Sequence, residues 1–216
     1  MDEKRILQET LRYLGYKREQ PDSQVRALLG ECMEELSRVV TLRHMKREVP
    51  LTLSGEATVS TELFTTESRN LARNLKGCDR LLVFAATVGI GADQLIQRYE
   101  RFRISRAVTL QAMAAAMIEE YCDCLNREWK DSYRKQGLYL RPRFSPGYGD
   151  FPLECQKALT GGLETAKRIG LTLTDSLIMM PSKSVTAVIG ISPLPGNCVT
   201  AGCEACDKTD CEYRRN

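Results

Sequence analysis

The sequence has only one histidine and one tryptophan among its 216 residues. Sites that need two imidazoles are therefore excluded, and a Ser/His/Asp or Cys/His triad would have to use His44. His44 stands in an alternating segment, T-L-R-H-M-K-R-E-V, which indicates a position in a strand and not a catalytic role.

Export signals, membrane segments and strong charge are also missing. The N-terminus M-D-E-K-R-I-L-Q-E-T is charged, and no stretch approaches the ~18 apolar residues of a membrane helix, so we expect a cytoplasmic protein with no membrane partner. A net charge of +3, with no basic stripe between aromatics, predicts no nucleic-acid partner. Nine cysteines, an odd number without an export signal, favour thiols or metal ligation over disulfides.

Hydrophobic periodicity and breaker residues predict an α+β fold with one core, built as an antiparallel or mixed twisted sheet with flanking helices. The two last strands should pair as a hairpin through residues 181–184. A buried central strand is expected over 80–88. The predicted helices cover 2–16, 24–40, 68–76, 92–103, 107–133 and 153–169; two or three strands lie within 41–66, and others cover 80–88, 171–180 and 185–192.

A glycine pair, Gly89 and Gly91, follows the predicted central strand. It lacks the third glycine of a dinucleotide fingerprint and the strand-end acid about 20 residues later, so we interpret it as a sharp turn from strand into helix. Asp93 lies in the first turn of that helix, where a carboxylate also favours the helix dipole.

Residues 141–152, R-P-R-F-S-P-G-Y-G-D-F-P, contain too many prolines and glycines for a helix or an inner strand. Pro146 and Gly147 favour a tight turn, while Arg143 and Tyr148 offer a charged fork and a stacking ring. This composition is typical of a recognition loop, and a proline-rich surface connection is the alternative.

Two acids on the longest predicted helix, Glu119 and Asp123, share one face at i, i+4. Like charges at this spacing repel by a few tenths of a kcal/mol, which suggests a nearby cation or set of donors. A solvated acidic face is the alternative.

The spacing of Arg143, Gly147 and Tyr148, followed by Pro152 and by S-L-I-M-M-P-S-K-S-V-T-A-V-I-G-I-S at 176–192, resembles the activation domain of cobalamin-dependent methionine synthase. The resemblance extends over 107–192 and implies an activation-domain-like domain over 1–197. It also implies a methyltransferase subunit of methionine biosynthesis. Such a subunit binds S-adenosylmethionine and supports remethylation of oxidised cobalamin with an electron from flavodoxin or ferredoxin.

The resemblance also implies which residues hold S-adenosylmethionine. Glu119, in the context M-I-E-E-Y, matches a ligand-binding glutamate of the family, and Asp93 is the candidate for its N-terminal aspartate. The implied set is Arg143, Pro146, Gly147, Tyr148, Glu119 and Asp93.

A D-x-H-x-x-G motif, which supplies the lower cobalt ligand in base-off corrinoid proteins, is absent from the sequence. We therefore expect cobalamin to be carried by a partner, either a cobalamin-binding methionine synthase subunit or another corrinoid protein. Two alternatives remain: a metal- or iron–sulfur-binding reactivator of another corrinoid methyltransferase, and a non-enzymatic scaffold that has lost the ligand.

The final residues, 198–216, form a cysteine-rich tail that we interpret as a second module. Four thiols in a polar, glycine-containing segment suit tetrahedral zinc or an iron–sulfur cluster, and their spacing does not separate the two. Free or redox-active thiols are the alternative. The four ligands would be Cys198, Cys203, Cys206 and Cys211.

Overall fold

The computed structural model describes residues 1–16 and 20–195. In chain order the elements are α1 (Glu3–Tyr13), α2 (Ser23–Val39), β1 (Arg43–Pro50), β2 (Thr52–Ser54), β3 (Thr58–Ser60), β4 (Thr65–Glu67), α3 (Arg69–Asn74), β5 (Arg80–Thr87), α4 (Ile90–Glu100), α5 (Ile104–Arg134), β6 (Tyr139–Leu140), α6 (Cys155–Gly162), α7 (Thr165–Ile169), β7 (Thr172–Leu173), β8 (Met179–Met180) and β9 (Ser184–Ser192).

The main sheet has the strand order β1-β5-β9-β6, and all its neighbours are antiparallel. The central strands β5 and β9 are paired from Arg80 with Ile191 to Thr87 with Ser184. Both strands are buried at nearly every position and are rich in apolar residues, as expected of strands that are covered on both faces. The predicted central strand and the α+β class are confirmed.

Two hydrophobic cores lie on opposite faces of this sheet, because successive side chains of a strand point to opposite sides. Leu82 and Phe84 of β5 belong to the first core, whereas Leu81 and Val83 belong to the second. The first core packs against α1, α2, α4 and α5. The second packs against α3, α6, α7 and the small β2-β3-β4 sheet. The sheet is therefore the middle layer of three.

The helix ends follow the capping residues of the sequence. The Asp22 side chain accepts from the Val25 N–H at 2.8 Å and begins α2, and Ser68 accepts from the Leu71 N–H at 3.1 Å and begins α3. Gly91, the second glycine of the pair after β5, lets α4 pack closely against α2. A Cβ at this position would stand 2.2 Å from the Val39 carbonyl oxygen.

The predicted hairpin between 171–180 and 185–192 is wrong. β7 pairs with β8, while β9 pairs with β5 and β6. A local turn closes the short hairpin, since the Thr174 N–H donates to the Ile178 carbonyl at 2.9 Å and the Ile178 N–H donates to the Thr174 hydroxyl at 3.0 Å. β9 takes no part in that hairpin and lies in the main sheet between β5 and β6.

The region 41–66 was expected to hold two or three strands, and the structure has three complete strands and the start of β4 there. β1 ends at Pro50, and Gly55, with φ +59°, turns the chain between β2 and β3.

Among the helices of the described residues, none combines the length and the apolar character needed to cross a membrane.

Candidate functional site

The loop over 141–152 starts as an extension of the sheet edge. The Arg141 N–H donates to the Gly190 carbonyl at 2.8 Å, and Phe144 exchanges two backbone hydrogen bonds with Val188 at 2.8 and 2.9 Å. Phe144 packs against the second core, while the neighbouring Arg143 reaches the α5 layer on the other face. The edge strand thus fixes the direction in which Arg143 points.

Arg143 bridges the two acids that the sequence places on one helix face. Its Nη2 lies 2.6 Å from Glu119 Oε2 and its Nη1 lies 2.7 Å from Asp123 Oδ1. The Arg143 side chain is only 22% exposed. Burial alone would lower the pKa of Arg143, but the carboxylates, Glu119 foremost, outweigh burial and raise that pKa. The cation suggested by the acidic spacing is therefore Arg143 itself.

A second group of charges adjoins this bridge. Glu120, with 4% of its side chain exposed, accepts from Arg127 Nη2 at 3.0 Å and from the Asp2 N–H at 3.3 Å. Burial would raise the pKa of Glu120, yet hydrogen bonds from Cys124, Arg127 and the Asp2 N–H lower it below the ordinary value. The first turn of α1 is therefore anchored on α5.

Arg5 of α1 completes the charged cluster. Its Nη1 lies 3.4 Å from Glu120 Oε2, and its Nη2 lies 3.8 Å from Asp123 Oδ2. A cavity of about 50 Å³ between α1 and α5 is lined by Arg5, Gln8, Glu9, Ala116, Glu119, Glu120 and Asp123. Its size suits an ammonium group or one water molecule and is too small for a nucleoside.

The turn after Phe144 is formed by Pro146 and Gly147. Pro146 is buried, Gly147 has φ +88°, and the Gly147 N–H donates to the Phe151 carbonyl at 2.8 Å. Glycine is needed there because other residues rarely adopt this φ. Tyr148 follows with 68% exposure, so its ring is available to a ligand.

Asp150 attaches this turn to α3. Its carboxylate accepts from the Arg69 N–H at 2.8 Å and the Asn70 N–H at 3.1 Å, and it also accepts from the Ser68 hydroxyl. These bonds outweigh the effect of burial and lower the pKa of Asp150. The loop is thus held by α3 at one end and by α5, through Arg143, at the other.

Asp93 lies at a different turn. Its carboxylate accepts from the Ser182 N–H at 2.7 Å and from the Ser182 hydroxyl at 2.5 Å, just before β9 begins. Phe144 pairs with Val188, four residues beyond Ser184, so ~13 Å of extended strand at ~3.3 Å per residue separates the two places. The structure does not bring Asp93 to Arg143.

Arg5 and Arg127 were not predicted from the sequence to belong to this cluster. Arg127 could have been found only as a residue on the same helix face, since it lies seven residues, or about two turns, after Glu120. Arg5 could not, because no local pattern says that α1 packs against α5.

The tail cysteines lie outside the described residues. Within residues 1–16 and 20–195, no three His, Cys, Asp or Glu side chains are grouped so as to hold a metal ion.

The family described as vitamin B12 dependent methionine synthase, activation domain, matches residues 34–194. The chain belongs to this activation-domain family. The resemblance inferred from the Arg143 loop is therefore confirmed, and the match includes α5 and the whole loop.

The activation-domain fold is also found among solved structures. The chain is similar to the MetH reactivation domain bound to AdoHcy, with a TM-score of 0.67 and 16% sequence identity. The alignment covers 89% of this chain and 76% of that chain. At this identity the likeness concerns the fold, and it confirms the α+β architecture.

Proposed function

We propose that this activation-domain protein binds S-adenosylmethionine at the Arg143 cluster and supports reductive remethylation of cobalamin carried by a partner protein. Family membership supports a role in methionine synthase reactivation. The observation that carries the ligand proposal is the bridge from Arg143 to Glu119 and Asp123, which places a guanidinium beside two carboxylates.

The charges of this cluster match the amino-acid end of the proposed ligand. A guanidinium binds a carboxylate through two parallel hydrogen bonds, and a carboxylate accepts from an ammonium group. In the proposed complex, Arg143 binds the ligand carboxylate and Glu119 accepts from its amino group. The small cavity beside Glu119 gives room for the amino group but not for the nucleoside.

The nucleoside would lie outside that cavity, on the exposed loop. The exposed ring of Tyr148 can stack on a nucleobase, and Gly147 leaves its backbone open to close approach. Pro146 is buried and supports the turn that presents Gly147 and Tyr148. The protein's contribution is then to fix the methyl group in position, which accelerates transfer without a covalent intermediate on the chain.

Cobalamin on the partner would supply the methyl acceptor after one-electron reduction. S-adenosylhomocysteine is the other product, and the electron comes from an external donor such as flavodoxin or ferredoxin. The partner is a cobalamin-binding methionine synthase subunit or another corrinoid protein.

Calorimetric titration with S-adenosylhomocysteine tests the binding site. Arg143→Ala should weaken binding by roughly 1.5–3 kcal/mol, the scale of a hydrogen bond between charged groups, and Arg143→Lys should weaken it because a point charge replaces a planar fork. Glu119→Gln should lower affinity with little change in melting temperature, since the amide preserves volume. Arg98→Ala on α4 is the control, because Arg98 is exposed. Unchanged affinity in the Arg143 variants would contradict the assignment.

A reconstituted methyl-transfer assay tests the partner. Methyl from labelled S-adenosylmethionine should appear on cobalamin bound to a methionine synthase subunit only when this protein and an electron donor are present. Transfer only to a different corrinoid protein would favour the alternative reactivation role. Failure of the wild-type protein to bind the ligand at millimolar concentration would favour the scaffold alternative.

A further inference from the structure

Both terminal nitrogens of Arg143 already donate to carboxylates in the structure. Its Nη1 is bonded to Asp123 at 2.7 Å and its Nη2 to Glu119 at 2.6 Å. A ligand carboxylate beside this guanidinium would meet two other carboxylates that share the same cation, and this like-charge repulsion favours release of one of them. The released carboxylate is partly buried and would lose its cation, which is costly.

Asp123 and Glu119 differ in whether another cation remains nearby once Arg143 is withdrawn. Asp123 has a second cation, since Arg5 Nη2 stands 3.8 Å from its Oδ2. Among the described residues, Glu119 has no ion pair other than that with Arg143. Asp123 is therefore the acid that Arg143 can release at lower cost.

Arg5 is also free to move toward Asp123. Its contacts of 3.4 and 3.8 Å are longer than the about 2.7–2.9 Å of a hydrogen bond between charged groups, and its side chain is 45% exposed. Glu120 does not depend on Arg5, because Arg127 and the Asp2 N–H both donate to it.

We propose that Arg5 is a positioning residue: it takes over Asp123 when Arg143 turns to the carboxylate of the ligand, and Glu119 then accepts from the ligand amino group. This inference rests on the proposed function, in which the ligand carries both groups. It assigns the N-terminal helix a part in ligand binding through an exchange of ion pairs.

A double-mutant cycle read by calorimetry tests the exchange. Arg5→Gln should weaken binding of S-adenosylhomocysteine by about fivefold to tenfold, the scale of one partly exposed charged contact. Asp123→Asn should bind as well as the wild type or better, because Arg143 is no longer held. In the Asp123→Asn background, Arg5→Gln should cause no further loss.

Two controls separate this role from a structural one. 5′-Methylthioadenosine has the nucleoside but lacks the carboxylate and amino group, so its affinity should not change in Arg5→Gln. Arg12→Gln on the same helix should leave both affinities unchanged, since Arg12 pairs with Glu9 one turn away. Arg5→Lys, which keeps the charge, should retain most of the affinity.

Three results would overturn the inference: an equal loss for both ligands, an equal loss in both backgrounds, or no loss at all in Arg5→Gln. Wild-type protein that binds neither ligand would instead refute the proposed function. A wild type that binds normally, with Arg5→Gln unaffected, would refute only the exchange.

Discussion

Substitution of Asp150 by alanine is expected to loosen the candidate loop from α3. The carboxylate of Asp150 accepts from the backbone N–H groups of Arg69 and Asn70 and from the Ser68 hydroxyl. It thereby serves as a second cap on a helix that Ser68 already caps. Asp150→Ala would leave the first N–H groups of α3 to water and release the segment that carries Tyr148.

The size of the effect follows from capping energies. Loss of an N-cap carboxylate costs ~0.5–2 kcal/mol, and loss of an acid near a helix N-terminus costs ~0.3–1 kcal/mol. Asp150 is exposed, so solvent weakens both contributions. We therefore expect the free energy of unfolding to fall by about 1–2 kcal/mol.

Urea denaturation at pH 7 measures this loss, with Asp175→Ala as the control. Asp175 is an exposed aspartate in the loop between β7 and β8. Amide exchange should quicken at Arg69 and Asn70 in the Asp150 variant and stay unchanged in the control. Because the folded-state pKa of Asp150 is lowered, its stabilisation is present above the unfolded pKa of about 3.9 and disappears as the pH falls through the folded value. Equal stabilities for the two variants would refute the reasoning.

Two further predictions concern the buried carboxylate of α5 and the tail. Glu120→Gln should lower the free energy of unfolding by roughly 2 kcal/mol at pH 7, and the difference should vanish as the pH falls from about 4.3 through the lowered folded pKa of Glu120. Glu128, an exposed glutamate of the same helix, is the control. A pH-independent difference, or an equal difference in Glu128→Gln, would contradict this prediction. We propose that the tail binds metal, so anaerobically prepared protein should contain about one zinc, or several irons with sulfide, and Cys206→Ser should lose it without a change in ligand affinity. Metal-free protein with titratable tail thiols would refute that proposal.

Local chemistry was sufficient to predict many of the elements. Asp22 begins α2 because its side chain can satisfy a free N–H, and that information lies within three residues. The i, i+4 spacing of Glu119 and Asp123 likewise suggests a nearby cation or set of donors. Arg143, which is that cation, was also singled out from the sequence, because it lies in a loop whose composition is typical of recognition. The structure shows that Arg143 contacts both Glu119 and Asp123.

Long-range pairing could not be predicted in the same way. β9 was expected to pair with the segment before it, yet it lies between β5 and β6, far away in sequence. A strand that is apolar on both faces is predicted to lie in the centre of a sheet. The pattern does not say which strands lie beside it, because many different neighbours would bury the same two faces. Arg5 was missed for the same reason, because only the packing of α1 on α5 brings it to Asp123.

Because the loop lies at the sheet edge, one short segment can contact the helices on both faces of the sheet and a ligand bound between them. Arg143 points to α5 beside the first core, whereas Phe144 packs in the second core and Asp150 binds α3. A ligand that contacts both Arg143 and Tyr148 must therefore lie along the loop where it crosses from one layer to the other. Each end is fixed by charged hydrogen bonds to a different helix, so loosening one end should weaken binding without unfolding the other. The expected order of affinities is thus wild type, then Asp150→Ala, then Arg143→Ala.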